Sequence, residues 1–214
     1  MKTRIKICGM TRPEDVQAAV QAGADAIGLV FYPPSPRFLQ LDQARALAGA
    51  VPAFVSSVAL FVNPPAEQVR AVLEYVRPSM LQFHGEETPA FCAQFGVPYL
   101  KACRVKGGVS AGGDLLEYLR PFSGAAGWLL DSHVAEYGGV GESFDWSLVP
   151  GGREREGMRP LVLSGGLSRD NVREAVRRVR PWAVDVSSGV EISKGIKDAA
   201  KVAAFITEVR NADV

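Results

Sequence analysis

Two side chains in this 214-residue chain are suited to trading protons with a small substrate, Cys8 and Asp131. A cysteine acts as a base only as its thiolate, which needs a nearby positive charge or hydrogen-bond donors. Lys6 lies two residues earlier, so on an extended strand it shares a face with Cys8. Without such help, a lone cysteine at a strand end is a small buried hydrophobe. A lysine facing an enclosed interior needs a counter-ion, and Asp185 is the candidate. Asp131 directly follows Trp128-Leu129-Leu130. A carboxyl group at the apolar end of a strand loses hydration, which favours its protonated form and suits it to donate a proton. The competing use of such an aspartate is to cap a loop or pair with a surface base.

Other residues could hold anions. Arg37 ends the run Pro33-Pro34-Ser35-Pro36-Arg37, stiffened by three prolines. A rigidly presented guanidinium suits a carboxylate, although loop position alone predicts an exposed arginine. Gly165-Gly166 and Ser187-Ser188-Gly189 are turns through which backbone N–H groups can approach a phosphate. Lys194 and Lys197 could be cations near those turns, but read first as solvated lysines. His84, in Gln82-Phe83-His84-Gly85, could be a base or a structural histidine, and His133 has no assigned role. Cys92 and Cys103 read as core fillers. Gly138–Ser143 lacks the Gly-Lys-Ser/Thr ending of a nucleotide loop and reads as a lid. Pro150–Gly157 reads as an exposed loop.

These residues need a scaffold. Apolar runs at about 4–8, 26–31, 55–61, 79–83, 98–103, 127–130, 159–163 and 182–186 read as strands. They recur about every 25 residues, enough for one strand–helix unit each. Val69, Val72, Leu73 and Val76, and again Val202, Phe205, Ile206 and Val209, mark helices with one buried stripe. Pro13 and Pro65 suit first turns, and Ser168 and Asp198 suit N-caps. Strands apolar on both faces imply a parallel sheet under helices. Eight such units predict an α/β fold, a (β/α)8 TIM barrel forming one domain over residues 1–214. The rival, an open doubly wound sheet, wants GxGxxG after its first strand, where this chain has Cys8-Gly9-Met10-Thr11-Arg12. In a barrel, Cys8, Arg37, His84, Asp131, Gly165-Gly166 and Ser187-Ser188-Gly189 fall at or just beyond C-terminal strand ends, where barrel chemistry sits.

Composition narrows the partners. With 24 basic and 23 acidic residues, the chain lacks the surplus of cations that nucleic acid demands. No run approaches the roughly 18 apolar residues of a membrane span. Three cysteines without CxxC argue against disulfide or zinc frameworks and for a reducing cytoplasm. Two histidines are too few for the ligand set of a metal-dependent epimerase. An apolar helix face serves a core or a homodimer equally well.

Lys6-Ile7-Cys8-Gly9-Met10-Thr11, Ser35-Pro36-Arg37, Gln82-Phe83-His84-Gly85, Leu130-Asp131, Gly165-Gly166-Leu167 and Asp185-Val186-Ser187-Ser188-Gly189-Val190-Glu191 together resemble the phosphoribosylanthranilate isomerases. The likeness runs the length of the chain, and the first and last motifs are the specific ones. It implies a (β/α)8 barrel and a step of tryptophan biosynthesis. That step is the cofactor-free, metal-free Amadori rearrangement of a phosphorylated aminoaldose to its aminoketose. It implies Cys8 as general base, Asp131 as general acid, Arg37 on the anthranilate carboxylate, and Gly165, Gly166, Ser187, Ser188 and Gly189 around the phosphate. Lys6, His84 and Asp185 would support them. The chain departs from the family pattern at Phe83, where leucine is usual, at Val140, where a small hydroxyl residue is typical, and at Ser164, where alanine is common.

Overall fold

Alternation along the strands sorts their side chains into two layers, one inside a barrel and one beneath helices. In the computed structural model the described residues are 2–105, 115–132, 145–150 and 157–213. The barrel strands are β1 (Arg4–Cys8), β2 (Ala26–Val30), β3 (Ser56–Phe61), β4 (Met80–Phe83), β5 (Tyr99–Val105), β6 (Gly127–Ser132), β7 (Leu161–Leu163) and β8 (Ala183–Val186). All pair in parallel in chain order, and β8 closes onto β1 with Lys6 in register with Asp185. Met80, Leu100, Ala102, Leu129, Val162 and Ala183 fill the lower interior. The other parity, including Ile5, Ile7, Ile27, Leu29 and Leu81, packs outward into a much larger core.

That core is covered by α1 (Pro13–Ala22), α2 (Leu41–Gly49), α3 (Ala66–Tyr75), α4 (Pro89–Ala93), α5 (Leu115–Leu119), α6 (Val172–Val179) and α7 (Ala199–Ala212). The stripe Val202, Phe205, Ile206 and Val209 is buried on α7, and Asp198 caps that helix by accepting from the Ala200 and Lys201 N–H groups. Pro13 opens α1, whereas Pro65 stands one residue before α3. Ser168 does not cap α6. The Gly165–Asn171 turn delays the helix, so Asn171 precedes Val172 while Ser168 Oγ accepts from Asp170 N at 3.2 Å. None of the described helices is long and apolar enough to cross a membrane.

Two local features hold the barrel mouth. Phe31, Phe61 and Phe83 stack with centroids 5.4 and 6.2 Å apart, so the departure at Phe83 falls in the outer core. Below the β4 loop, the fully buried Lys101 pairs with Glu87 at 2.8 Å. Glu87 also accepts the backbone N–H groups of Asn63 and Gly85. A buried ion pair survives desolvation only when its spare lone pairs are used in this way, and here they fix the loop carrying His84. A hairpin absent from the sequence reading, β9 (Glu191–Ser193) and β10 (Ile196–Lys197), follows β8 and packs against the loops after β1 and β2, with Glu191 on Arg37 and Gly195 beside Thr11 and Pro36.

Candidate active site

One cleft opens at the C-terminal ends of the strands. Its lining includes Cys8, Arg37, His84, Asp131, Gly165, Gly166, Asp185, Ser187 and Ser188. Two of the residues assigned to the site from the sequence stand outside that lining. Lys6 lies one layer down in the barrel, and Gly189 packs behind the turn, where an added Cβ would sit 2.0 Å from the Leu167 carbonyl oxygen. His133, Val140 and the whole Gly138–Ser143 segment lie outside the described residues, as does most of Pro150–Gly157.

Cys8 is 5% exposed, at the cleft end of β1. Burial pushes its thiol above the ordinary range, Lys6 pulls it back down, and Asp185 pushes it up again. Lys6 Nζ meets Asp185 Oδ1 at 2.9 Å, both nearly inaccessible. Burial alone would lower the Lys6 ammonium, but Asp185 and Cys8 beside it more than offset that and hold it raised. Space for the thiol comes from Gly28 on β2, where a Cβ would stand 2.6 Å from Sγ. Ser187 Oγ donates to the Cys8 carbonyl at 3.0 Å and ties the two strand ends together. Ser164, the departure just beyond β7, lies with its Oγ 3.5 Å from Asp185 Oδ2.

Arg37 is 5% exposed, which corrects the surface position expected from its loop. Its Nε and Nη2 grip both oxygens of Glu191 at 2.7 Å each, a fork-to-fork pair. Gly9, at φ +78°, lets the arginine pass, since a Cβ there would meet Arg37 Cδ at 2.3 Å. Lys197 is likewise buried rather than solvated. Its Nζ reaches Glu191 Oε1 at 2.8 Å and the Ser187 carbonyl oxygen at 3.1 Å. The hairpin carries it inward, which no local pattern announces. Burial lowers the Lys197 ammonium and Glu191 only partly restores it. Burial raises the Glu191 carboxyl, and the bonds from Arg37 and Lys197 more than reverse that. Two cations around one carboxylate leave a net positive charge beside Cys8, the right sign for an anionic ligand.

Asp131 Oδ2 lies 3.0 Å from His84 Nε2, and Oδ1 accepts the Ser132 N–H at 2.9 Å. Polar contacts thus replace the apolar surroundings expected of Asp131. Gln82 Nε2 stands 3.1 Å from the other ring nitrogen of His84. Gly165, at φ +82°, packs against this carboxylate, and a Cβ there would fall 2.3 Å from Ser132 N and 2.8 Å from Asp131 Oδ1. The same glycine turn therefore serves the seventh loop and clears room for Asp131. The sequence reading gave no role to Gln82, Arg104 or Glu191 and took Lys197 for a solvated lysine. Arg104 was missed because the fifth strand was ended at 103; carried to Val105, the parity of Leu100 and Ala102 points Arg104 into the mouth.

The chain is similar to proteins of known kind. The profile of the N-(5′-phosphoribosyl)anthranilate isomerase family matches residues 5–208. The N-(5′-phosphoribosyl)anthranilate isomerase of Dechloromonas aromatica is 57% identical, covering 100% of this chain and 99% of its own. The crystal structure of phosphoribosyl anthranilate isomerase from Thermotoga maritima superposes with a TM-score of 0.87 at 42% identity, over 98% of this chain and 99% of that one. A second isomerase structure, solved in complex with reduced 1-(o-carboxyphenylamino)-1-deoxyribulose 5-phosphate, gives a TM-score of 0.83 at 40% identity with the same coverages.

Proposed function

The chain belongs to the N-(5′-phosphoribosyl)anthranilate isomerase family, and from that premise we propose that it isomerises its aminoaldose with Cys8 as general base and Asp131 as general acid. The reaction converts N-(5-phosphoribosyl)anthranilate to 1-(2-carboxyphenylamino)-1-deoxyribulose 5-phosphate in tryptophan biosynthesis. One observation carries the assignment of roles: Cys8 and Asp131 open on a single cleft that also holds a buried arginine and two glycine-containing turns. Circular closure makes β7, β8, β1 and β2 contiguous. A phosphate at Gly165–Gly166 and Ser187–Gly189 and a carboxylate at Arg37 would then stretch the sugar across Cys8. Two such anchors supply positioning, which accounts for several kcal/mol of many catalysed barriers.

The chemistry follows from that pose. Asp131 protonates the ring oxygen, and the ring opens to a protonated Schiff base. That cation acidifies the C2′ proton, which the Cys8 thiolate removes to give the enolamine. Protonation at C1′ and loss of the O2′ proton complete the ketone. No net redox change occurs. Glu191 occupies one edge of the Arg37 fork and so aims the remaining N–H groups. Turnover is tested with freshly generated phosphoribosylanthranilate, followed by the loss of anthranilate fluorescence; a folded chain without turnover would refute the reading.

Arg37→Ala is expected to lower kcat/KM by roughly ten- to a hundredfold, mainly through KM, because one charged, bidentate contact is lost. Arg37→Lys should recover little of it, since an ammonium cannot reproduce the fork. Steady-state kinetics with unchanged kcat/KM in Arg37→Ala would contradict the role.

We read the chain as one cytoplasmic domain. The barrel strands run from residue 4 to residue 186, and three buried cysteines are all unpaired, as a reducing compartment allows. A homodimer through the face opposite the site is the assembly that the surface supports. Phe54 is fully exposed there at 105% and held at φ 70°, beside a cavity of about 370 Å3 lined by Met80, Leu100 and Trp182 among others. An exposed aromatic beside a hollow that is apolar at Met80, Leu100 and Trp182 and charged at Arg4, Lys6 and Asp25 suits a two-fold contact in which each copy fills the other. Phe54→Asp is expected to halve the mass measured by sedimentation equilibrium; a wild-type chain that sediments as a monomer would refute the dimer.

A further inference from the structure

Arg37 follows β2 and the serine turn follows β8, so the two anion anchors read above stand on separate strands. One side chain joins them. Lys197 Nζ lies 2.8 Å from Glu191 Oε1, the oxygen that Arg37 Nε also holds, at 2.7 Å. On its other side Nζ donates to the Ser187 carbonyl at 3.1 Å and stands 3.4 Å from Ser187 Oγ. Ser187 Oγ in turn donates to the Cys8 carbonyl. Lys197 is 3% exposed, so water screens these contacts little.

The hairpin that carries Lys197 is fastened from three sides. The Lys197 backbone N–H donates to Asp15 Oδ2 on α1 at 3.1 Å, and Thr11 Oγ1 in the loop after β1 donates to the Gly195 carbonyl. Lys201 Nζ on α7 donates to the Glu191 carbonyl at 2.8 Å. These bonds fix where the ammonium sits, and its place has an effect on each anchor. At the serine turn the effect is one of direction. A trans peptide is planar, and its C=O and N–H point to opposite sides. Holding the Ser187 carbonyl towards Nζ therefore turns the Ser188 N–H the other way, and Ser188 lines the cleft. That N–H is one of the donors the turn can offer a phosphate. At Arg37 the effect is one of charge. Arg37 and Glu191 by themselves form a neutral pair. Lys197 supplies the surplus positive charge, in surroundings dry enough for it to act strongly.

We propose that Lys197 is a positioning residue that serves both anchors at once. It aims the Ser188 N–H at the phosphate, and it keeps the Arg37–Glu191 pair net positive towards the anthranilate carboxylate. This rests on Arg37 and the serine turn being those anchors.

Lys197→Met removes the charge and the donor, keeps most of the side chain's length and leaves Glu191 in the Arg37 fork. Affinity is read by isothermal titration of the reduced product analogue, with inorganic phosphate or anthranilate as competitor, and circular dichroism checks the fold. Each competitor should bind about tenfold more weakly, the worth of one charged hydrogen bond, and KM should rise with kcat changed less. Glu191→Gln/Lys197→Met tells positioning from mere support of the hairpin. It removes both charges of the pair and leaves Arg37 an unneutralised cation. Anthranilate should then regain most of its affinity while phosphate stays weak. A double variant at least as weak for anthranilate as Lys197→Met would overturn the proposal, as would wild-type affinity for either competitor in Lys197→Met. Should the methionine variant not fold, Lys197→Gln keeps a donor without the charge. It is expected to weaken anthranilate and spare phosphate, and unchanged anthranilate binding there counts against the role. If the wild type does not bind a competitor, the anchor assigned to it fails. If it binds both and Lys197→Met alters neither, only the link through Lys197 fails.

Discussion

Cys8→Ala is expected to cut kcat by about a hundred- to ten-thousandfold, the usual worth of a positioned general base, while the fold persists. Alanine fills part of the thiol's place at a site where Gly28 already leaves room, so no clash accompanies the change. Binding of the reduced product analogue should be little altered, because both proposed anion anchors lie on other strands. Circular dichroism and analogue titration check those two controls, and steady-state turnover checks the loss. Full activity in a folded Cys8→Ala protein would end the assignment. The raised thiol adds a second readout. A thiol held above its ordinary range carries less thiolate at any given pH, so its alkylation should keep accelerating beyond about pH 8.5, where an unperturbed thiol is half ionised. Peptide mapping of iodoacetamide-treated protein follows Cys8 separately from Cys92 and Cys103. A labelling rate that levels off near pH 7 would contradict the direction of the shift. In turnover, the Schiff-base cation formed beside Sγ supplies the positive field that Asp185 partly withdraws from Lys6.

The barrel was legible because its strands are short apolar runs at even spacing, and parallel strands under helices have to be apolar on both faces. The Lys6–Asp185 pair was legible for a geometric reason. Strand parity points Lys6 inward, and only barrel closure brings the eighth strand beside the first. Glu191 and Lys197 were not legible as a buried pair. Charged residues in a glycine-containing segment look solvated until the β9–β10 hairpin folds them onto Arg37, a contact spanning 154 residues. The surface position expected for Arg37 failed for the same reason. The His84–Asp131 contact joins two strands that are not neighbours in the sheet, so register alone could not reveal it; a histidine just beyond one strand end and an aspartate near another were the only signals. The lid assigned to Gly138–Ser143 lies outside the described residues.

Asp131→Asn should abolish turnover to a similar or greater degree, again by about a hundredfold or more, and it fails at a different point in the sequence of steps. The amide is nearly isosteric and its oxygen can still accept from Ser132 N–H or from His84 Nε2, so the strand end keeps its shape. What disappears is the only proton donor the mechanism places at the ring oxygen. Without ring opening there is no Schiff base, the C2′ proton stays unactivated, and Cys8 has nothing to remove. The two variants therefore should not add. The Cys8→Ala/Asp131→Asn double variant is expected to be about as slow as Asp131→Asn alone, because residues acting on one sequence of steps are non-additive. Exchange of the C2′ proton with deuterated solvent provides the direct measurement. It requires both the opened ring and the thiolate, so it should be lost in either single variant while analogue binding survives in both. Exchange that persisted in Asp131→Asn would mean that the ring opens without this carboxyl group, and the acid would have to be sought elsewhere in the cleft.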